Sequence, residues 1–149
     1  ATVVLLVFAL TLGVLLVSFD TWVKPEDVCE GIYNVKVLHI PGYKNSFCQI
    51  IGDNQTNSTL KFLIKNEAEQ EVHGLHITFI GNSDNPVYIL RDYEAYINSG
   101  GTVHKRYQYP SSIGRLQQAL ISIYRKKGNH YYLCTKYSVV LDSVPECGK

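Results

Sequence analysis

The side chains that could do chemistry in this 149-residue chain are five histidines, four cysteines and two clusters of carboxylates. His73 and His76 are the closest histidine pair, and on a strand a spacing of three sends side chains to opposite faces, which spoils a shared metal site. His39, His104 and His130 stand apart from them and from each other. Glu67, Glu69 and Glu71 crowd one turn, and Asp92 and Glu94 another. Paired acids serve hydrolysis or hold calcium, but carboxylates in a solvated turn have the same spacing. No Gly-x-Ser-x-Gly elbow occurs, and Ser111-Ser112 follows Pro110 in a turn. Ser99-Gly100-Gly101-Thr102 lacks the lysine of a phosphate-binding loop. The chain therefore reads as a non-enzyme, with no metal site and no cofactor.

The cysteines carry a different chemistry. Cys29, Cys48, Cys134 and Cys147 form no Cys-x-x-Cys spacing, so zinc or dithiol redox work is disfavoured and two disulfides in an oxidising compartment are expected. Two adjacent sequons, at Asn54 (Asn54-Gln55-Thr56) and Asn57 (Asn57-Ser58-Thr59), agree with an extracellular loop and are candidate glycosylation sites. The composition is globular, with 46% hydrophobic and 18% charged residues. A net charge of +1 gives no nucleic-acid footprint. The dense basic run Arg125-Lys126-Lys127 meets Gly128 and reads as a hairpin tip.

These residues need strands to position them. Alternating apolar residues predict strands over Ile32–Ile40, Phe47–Ile51, Leu60–Lys65, around Leu75–Ile80, Val87–Leu90, Val103–Tyr109, Ala119–Tyr124 and Tyr131–Leu141, with a shorter piece at Ala95–Ile97. Strands this short, with frequent turn signals, predict an antiparallel Ig-like β-sandwich, and a partial barrel stays open. The last three strands read as a meander. Pro41–Ser46 reads as a hairpin turn setting Ile40 opposite Phe47, which puts Cys48 beside His39 and away from Cys29. The first pairing expected is Cys29–Cys147 with Cys48–Cys134, and the second is Cys29–Cys48 with Cys134–Cys147. In Tyr131–Leu141, Cys134 lies on the face opposite Leu133, Val139 and Leu141.

Ahead of this domain, residues 1–19 contain no charge. As a helix they would rise ~28 Å, close to the hydrocarbon thickness of a bilayer. The apolar positions are Val3, Val4, Leu5, Leu6, Val7, Phe8, Leu10, Leu12, Gly13, Val14, Leu15, Leu16, Val17 and Phe19, and Asp20 stops the run. Residues 1–24 are read as this helix and its exit, and 25–149 as the β-sandwich. The expected fold class is thus an N-terminal hydrophobic α-helix followed by an all-β antiparallel Ig-like sandwich. An absence of methionine and a bare start at Ala1 suggest a terminus exposed by leader removal. A simple anchor and an uncleaved signal peptide are the alternatives.

An uncharged N-terminal helix leading into a small β domain resembles archaeal type IV pilins and archaellum-type filament subunits. The resemblance rests on Ala1–Phe19 and the layout. Leu5 stands where bacterial pilins carry glutamate, which separates the chain from that branch. The resemblance implies a structural subunit of an extracellular filament, with helices of identical subunits packed in its core and β domains outside. It further implies a membrane-inserted stage before assembly, and surface or glycan receptors in adhesion or motility. A membrane-anchored, extracytoplasmic Ig-like binding subunit of a hetero-complex is the alternative.

Overall fold

In the computed structural model the described residues are 3–11, 28–31, 34–53 and 55–148. They are mostly β-sheet. Eight strands form two antiparallel sheets: β1 (Val35–Leu38), β2 (Phe47–Ile50), β3 (Ser58–Asn66), β4 (Gly74–Gly81), β5 (Val87–Asp92), β6 (Thr102–Tyr109), β7 (Leu116–Lys127) and β8 (His130–Asp142).

The expected fold class needs correction at its helix. Residues 3–11 are helical, and the helix is described over these nine residues alone. Among the described residues no helix is long and apolar enough to cross a membrane. Among the described residues, two antiparallel sheets and the helical residues 3–11 stand where a bilayer-length helix followed by an Ig-like sandwich is expected. Leu12, Gly13, Val14, Leu15, Leu16, Val17 and Phe19 lie outside the described residues.

Strict alternation builds the first sheet. In β3 the even residues Leu60, Phe62 and Ile64 are fully buried while Lys61, Leu63 and Lys65 are half-buried on the other face. β6 pairs with one edge of β3 from Ser58↔Tyr109 to Lys65↔Thr102. The other edge is divided end to end, Phe47–Ile50 taking Phe62–Thr59 and Val35–Leu38 taking Asn66–Leu63. β1 and β2 thus share an edge and do not pair with each other. The predicted hairpin at Pro41–Ser46 is an excursion between two strands laid along one neighbour.

The second sheet runs β5-β4-β7-β8. Its inner face, Leu75, Ile77, Phe79, Ala119, Ile121, Ile123 and Leu141, meets Leu60, Phe62, Ile64, Tyr107 and Tyr109 of the first in one apolar core. The predicted meander is overturned here. β6 belongs to the first sheet, and Pro110 with a short 3-10 turn at Ser111–Ile113 carries the chain across to β7. Ala95–Ile97 forms no strand and only Ile97 bridges, to Val72. The β7–β8 connection is the expected hairpin, with Lys127 opposite His130 and Gly128 at φ 62°, as the first central residue of a II′ turn requires.

β8 holds the feature least visible beforehand. Ile121 faces Val139, yet Ile123 faces Cys134, so β8 carries three extra residues against β7. An odd insertion reverses which face the residues beyond it occupy. Cys134 therefore joins Val139 and Leu141 on the core side, contrary to uninterrupted alternation. Within the bulge the Ser138 hydroxyl donates to Thr135 O at 2.8 Å and lies 2.6 Å from the Ser122 hydroxyl.

Candidate functional site

Both expected cysteine pairings are wrong. The bridges are Cys29–Cys134 and Cys48–Cys147, with Cα–Cα distances of 5.6 and 4.9 Å. The reason is facing. Cys48 sits opposite Lys61, on the outer side of the first sheet, whereas the bulge turns Cys134 into the core. A Cys48–Cys134 bond would have to pass through a sheet. Two bridges fit the oxidising, extracytoplasmic setting expected from the sequence.

Each bridge is seated in hydrogen bonds. Beside Cys29, Arg125 donates from Nε to Val28 O at 3.3 Å, from one terminal nitrogen to Glu71 O, and from the other to Gln70 Oε1 at 3.2 Å. The arm before β1 is thereby fastened to β7 as well as to β8. At the other bridge the tail lies parallel to β2: Gln49 N donates to Pro145 O at 2.7 Å and Cys147 N to Gln49 O at 2.9 Å.

The Gln49 side chain faces inward, opposite Leu60, and is completely buried. Its Nε2 donates to Leu116 O at 3.0 Å and Val144 O at 2.6 Å, and its Oε1 accepts from Leu116 N at 3.0 Å and the Tyr109 hydroxyl at 3.2 Å. One amide thus joins β2, β6, β7 and the tail. Burial pushes the Tyr109 phenol up to about 12. Gln49 carries no catalytic or ligand motif in the sequence. Its signal was an amide at the inward register of Phe-Cys-Gln-Ile.

Among the described residues the histidines and carboxylates make separate local contacts, His73 Nε2 lying 3.7 Å from Glu71 Oε2. No group of three potential metal ligands lies together among the described residues. Glu67 pairs with Lys36 at 2.9 Å and Lys65 at 3.4 Å. Asp92 accepts the Tyr107 hydroxyl at 2.7 Å, with Lys105 at 3.7 Å. Burial first, then this hydrogen bond, raises the Tyr107 phenol far above its usual range. An open hollow beside the Cys48–Cys147 bridge, lined by Gly42, Tyr43, Lys44, Asn45, Glu146 and Gly148, contains no nucleophile–base pair.

His73 and His76 are both pushed below the ordinary histidine value. Burial, followed by the Arg125 charge, lowers His73, whose Nδ1 accepts the Lys126 N–H at 3.0 Å. Burial, followed by Arg91, lowers His76, whose Nδ1 lies 2.9 Å from the Tyr124 hydroxyl. With folded values below the unfolded ~6.5, the unfolded chain binds more protons as pH falls through that region. Stability should therefore be fully present above the unfolded value and be lost as pH drops towards the folded ones. Urea midpoints between pH 7.5 and 5 should fall with pH, and a His73→Gln/His76→Gln variant should flatten the slope. An unchanged slope in that variant would remove both histidines from the account.

Two of the apolar surfaces among the described residues stand out. On the helix, Val3, Val4, Leu5, Leu6, Val7, Phe8 and Leu10 are each 57–74% exposed. On the outer face of the second sheet, Ile89, Thr78, Leu120 and Val140 form one rung across all four strands. Val87, Ile89 and Val140 there are exposed. At one end of that face Tyr93 packs between Tyr124 and Tyr131, ring centroids 4.9 and 4.7 Å apart. Asn57 is exposed just before β3, while Asn54 lies outside the described residues. In comparisons with known proteins, no family model, no curated protein and no solved structure matches this chain.

Proposed function

We propose that this chain is a structural subunit of an extracellular filament of the archaeal type IV pilin kind. In that arrangement residues 3–11 are buried between copies and the β domain forms the outer surface. The observation that supports the reading is the run of seven apolar side chains on residues 3–11, each more than half exposed beside a domain that already has its own core. Apolar surface leaves water at ~25 cal/mol per Å², so a helix apolar on every side gains most when copies of itself surround it. Repeated head-to-tail contacts of this kind yield an open fibre. A glycan at Asn57 would stand on the outside.

Negative-stain microscopy of the purified full chain tests this. Fibres are expected, and Leu6→Lys should abolish them, because an unpaired charge buried in an apolar contact costs several kcal/mol. Circular dichroism of the variant should still report the β domain, since Leu6 lies outside its core. Fibres that survive Leu6→Lys, or none under any condition, would end the proposal. The second reading, an extracytoplasmic binding subunit of a hetero-complex, is favoured by the exposed Val87, Ile89 and Val140 on the second sheet. It predicts recovery as discrete complexes with a different protein and no fibres.

A further inference from the structure

The order of the bridged cysteines along the chain has a mechanical consequence. Cys29–Cys134 and Cys48–Cys147 are crossed: each loop contains one cysteine of the other. The shortest covalent route from Cys29 to Cys147 therefore jumps to Cys134 and follows β8 and the tail for thirteen residues. Everything between Cys29 and Cys134 is bypassed.

We propose that the crossed bridges make the β domain a nearly inextensible link between whatever precedes Cys29 and whatever follows Cys147, with tension carried along β8 while the other strands stay unloaded. Three features favour this route. β8 is already extended along most of its length, so its slack is confined to the bulge at 135–138 and the tail after Asp142. The tail is pinned by the backbone and side chain of Gln49. Third, β1 is only four residues long and lies on a sheet edge. It would peel first under load, and it falls between Cys29 and Cys48, off the route. Arg125 holds Val28 at the point where load enters. The inference needs only tension between arm and tail, so it stands apart from the filament reading.

Force spectroscopy on the full chain, tethered at both ends, tests it. Stretch of the residues before Cys29 is common to every form and cancels. Thirteen residues extend to at most about 45 Å, so the oxidised chain should show no longer release. Replacing Cys48 and Cys147 by serine leaves the limit at about 45 Å. Replacing Cys29 and Cys134 reroutes the load through the nineteen residues to Cys48, with a limit near ~65 Å. Reductant added to the native tethered protein should free all 118 residues between Cys29 and Cys147, a release of about 400 Å. This last measurement uses the native sequence and does not require any variant to fold. A release of hundreds of ångströms from the oxidised chain, or none after reduction, would overturn the proposal.

Discussion

Serine at all four cysteines is expected to lower the unfolding free energy by about 8 kcal/mol, most of what a domain of this size possesses. Closing Cys29 onto Cys134 spans 105 residues and removes about 4.7 kcal/mol of chain entropy from the unfolded state. Once that loop is closed, Cys48 and Cys147 are separated by a shorter path, back to Cys29 and onward from Cys134, of about 32 residues. The second bridge then adds about 3.7 kcal/mol. By the same reasoning either bridge removed alone costs about 3.7 kcal/mol, because the survivor still restrains the chain. The joint loss should exceed the sum of the single losses by about 1 kcal/mol, a coupling that follows from crossed connectivity. Urea titrations of the two single-bridge variants and the bridge-free chain measure all three quantities. Losses below about 1 kcal/mol for each single variant would show that the bridges restrain little of the unfolded ensemble.

How much of this could be read in advance divides along local and non-local lines. The strands were legible where one face is buried, because Leu60, Phe62 and Ile64, or Leu75, Ile77 and Phe79, declare the inward register by alternation. The turn at Gly128 was legible because a positive φ selects glycine. The division of β3's free edge between β1 and β2 was not, since Pro41-Gly42 carries the same turn signal whether the flanking strands pair or lie end to end. The meander failed for a related reason. Pro110–Gly114 signals a break without saying which sheet receives β7.

The cysteine pairing failed on one count of residues. Three extra positions in β8 exchange its faces, and no side chain between Thr135 and Ser138 announces them. With the bulge known, facing alone excludes Cys48–Cys134. Hydropathy over residues 1–19 sets how apolar a segment is and not how far it is helical, and the helix is described over residues 3–11 alone. Of the candidate chemistry, the sequence rightly placed Cys29, Cys48, Cys134 and Cys147 in two bridges. It gave no weight to Gln49 and read Arg125 only as part of a hairpin tip, because their roles depend on partners 67 and 97 residues away.

Gln49 carries the second large effect. Leucine at this position keeps the volume and removes every polar contact, leaving Leu116 N–H, Leu116 C=O and Val144 C=O without their partner in the interior, while the Tyr109 hydroxyl keeps its hydrogen bond with Ser58. Buried polar groups left unmade cost ~1–3 kcal/mol each. Allowing for relaxation among these groups in contact, Gln49→Leu should cost about 3–5 kcal/mol. The exposed Gln117→Leu control should stay within about 0.5 kcal/mol.

Gln49→Glu distinguishes lost hydrogen bonds from altered packing. At neutral pH it puts an acceptor-only carboxylate where Leu116 O and Val144 O need a donor, so it should be worse than leucine. Protonated, the same side chain regains one donor and keeps an acceptor, and its deficit should shrink as pH falls towards 4. The sign is fixed by burial, which raises the folded pKa above the unfolded ~4.3, so the unfolded state binds fewer protons and acid favours the fold at this site. The histidines pull the opposite way over pH 5–7. The comparison must therefore be Gln49→Glu against Gln49→Leu at each pH, so that the histidine contribution cancels. Equal deficits at every pH would mean that the interior around residue 49 is wet and the amide is no hub.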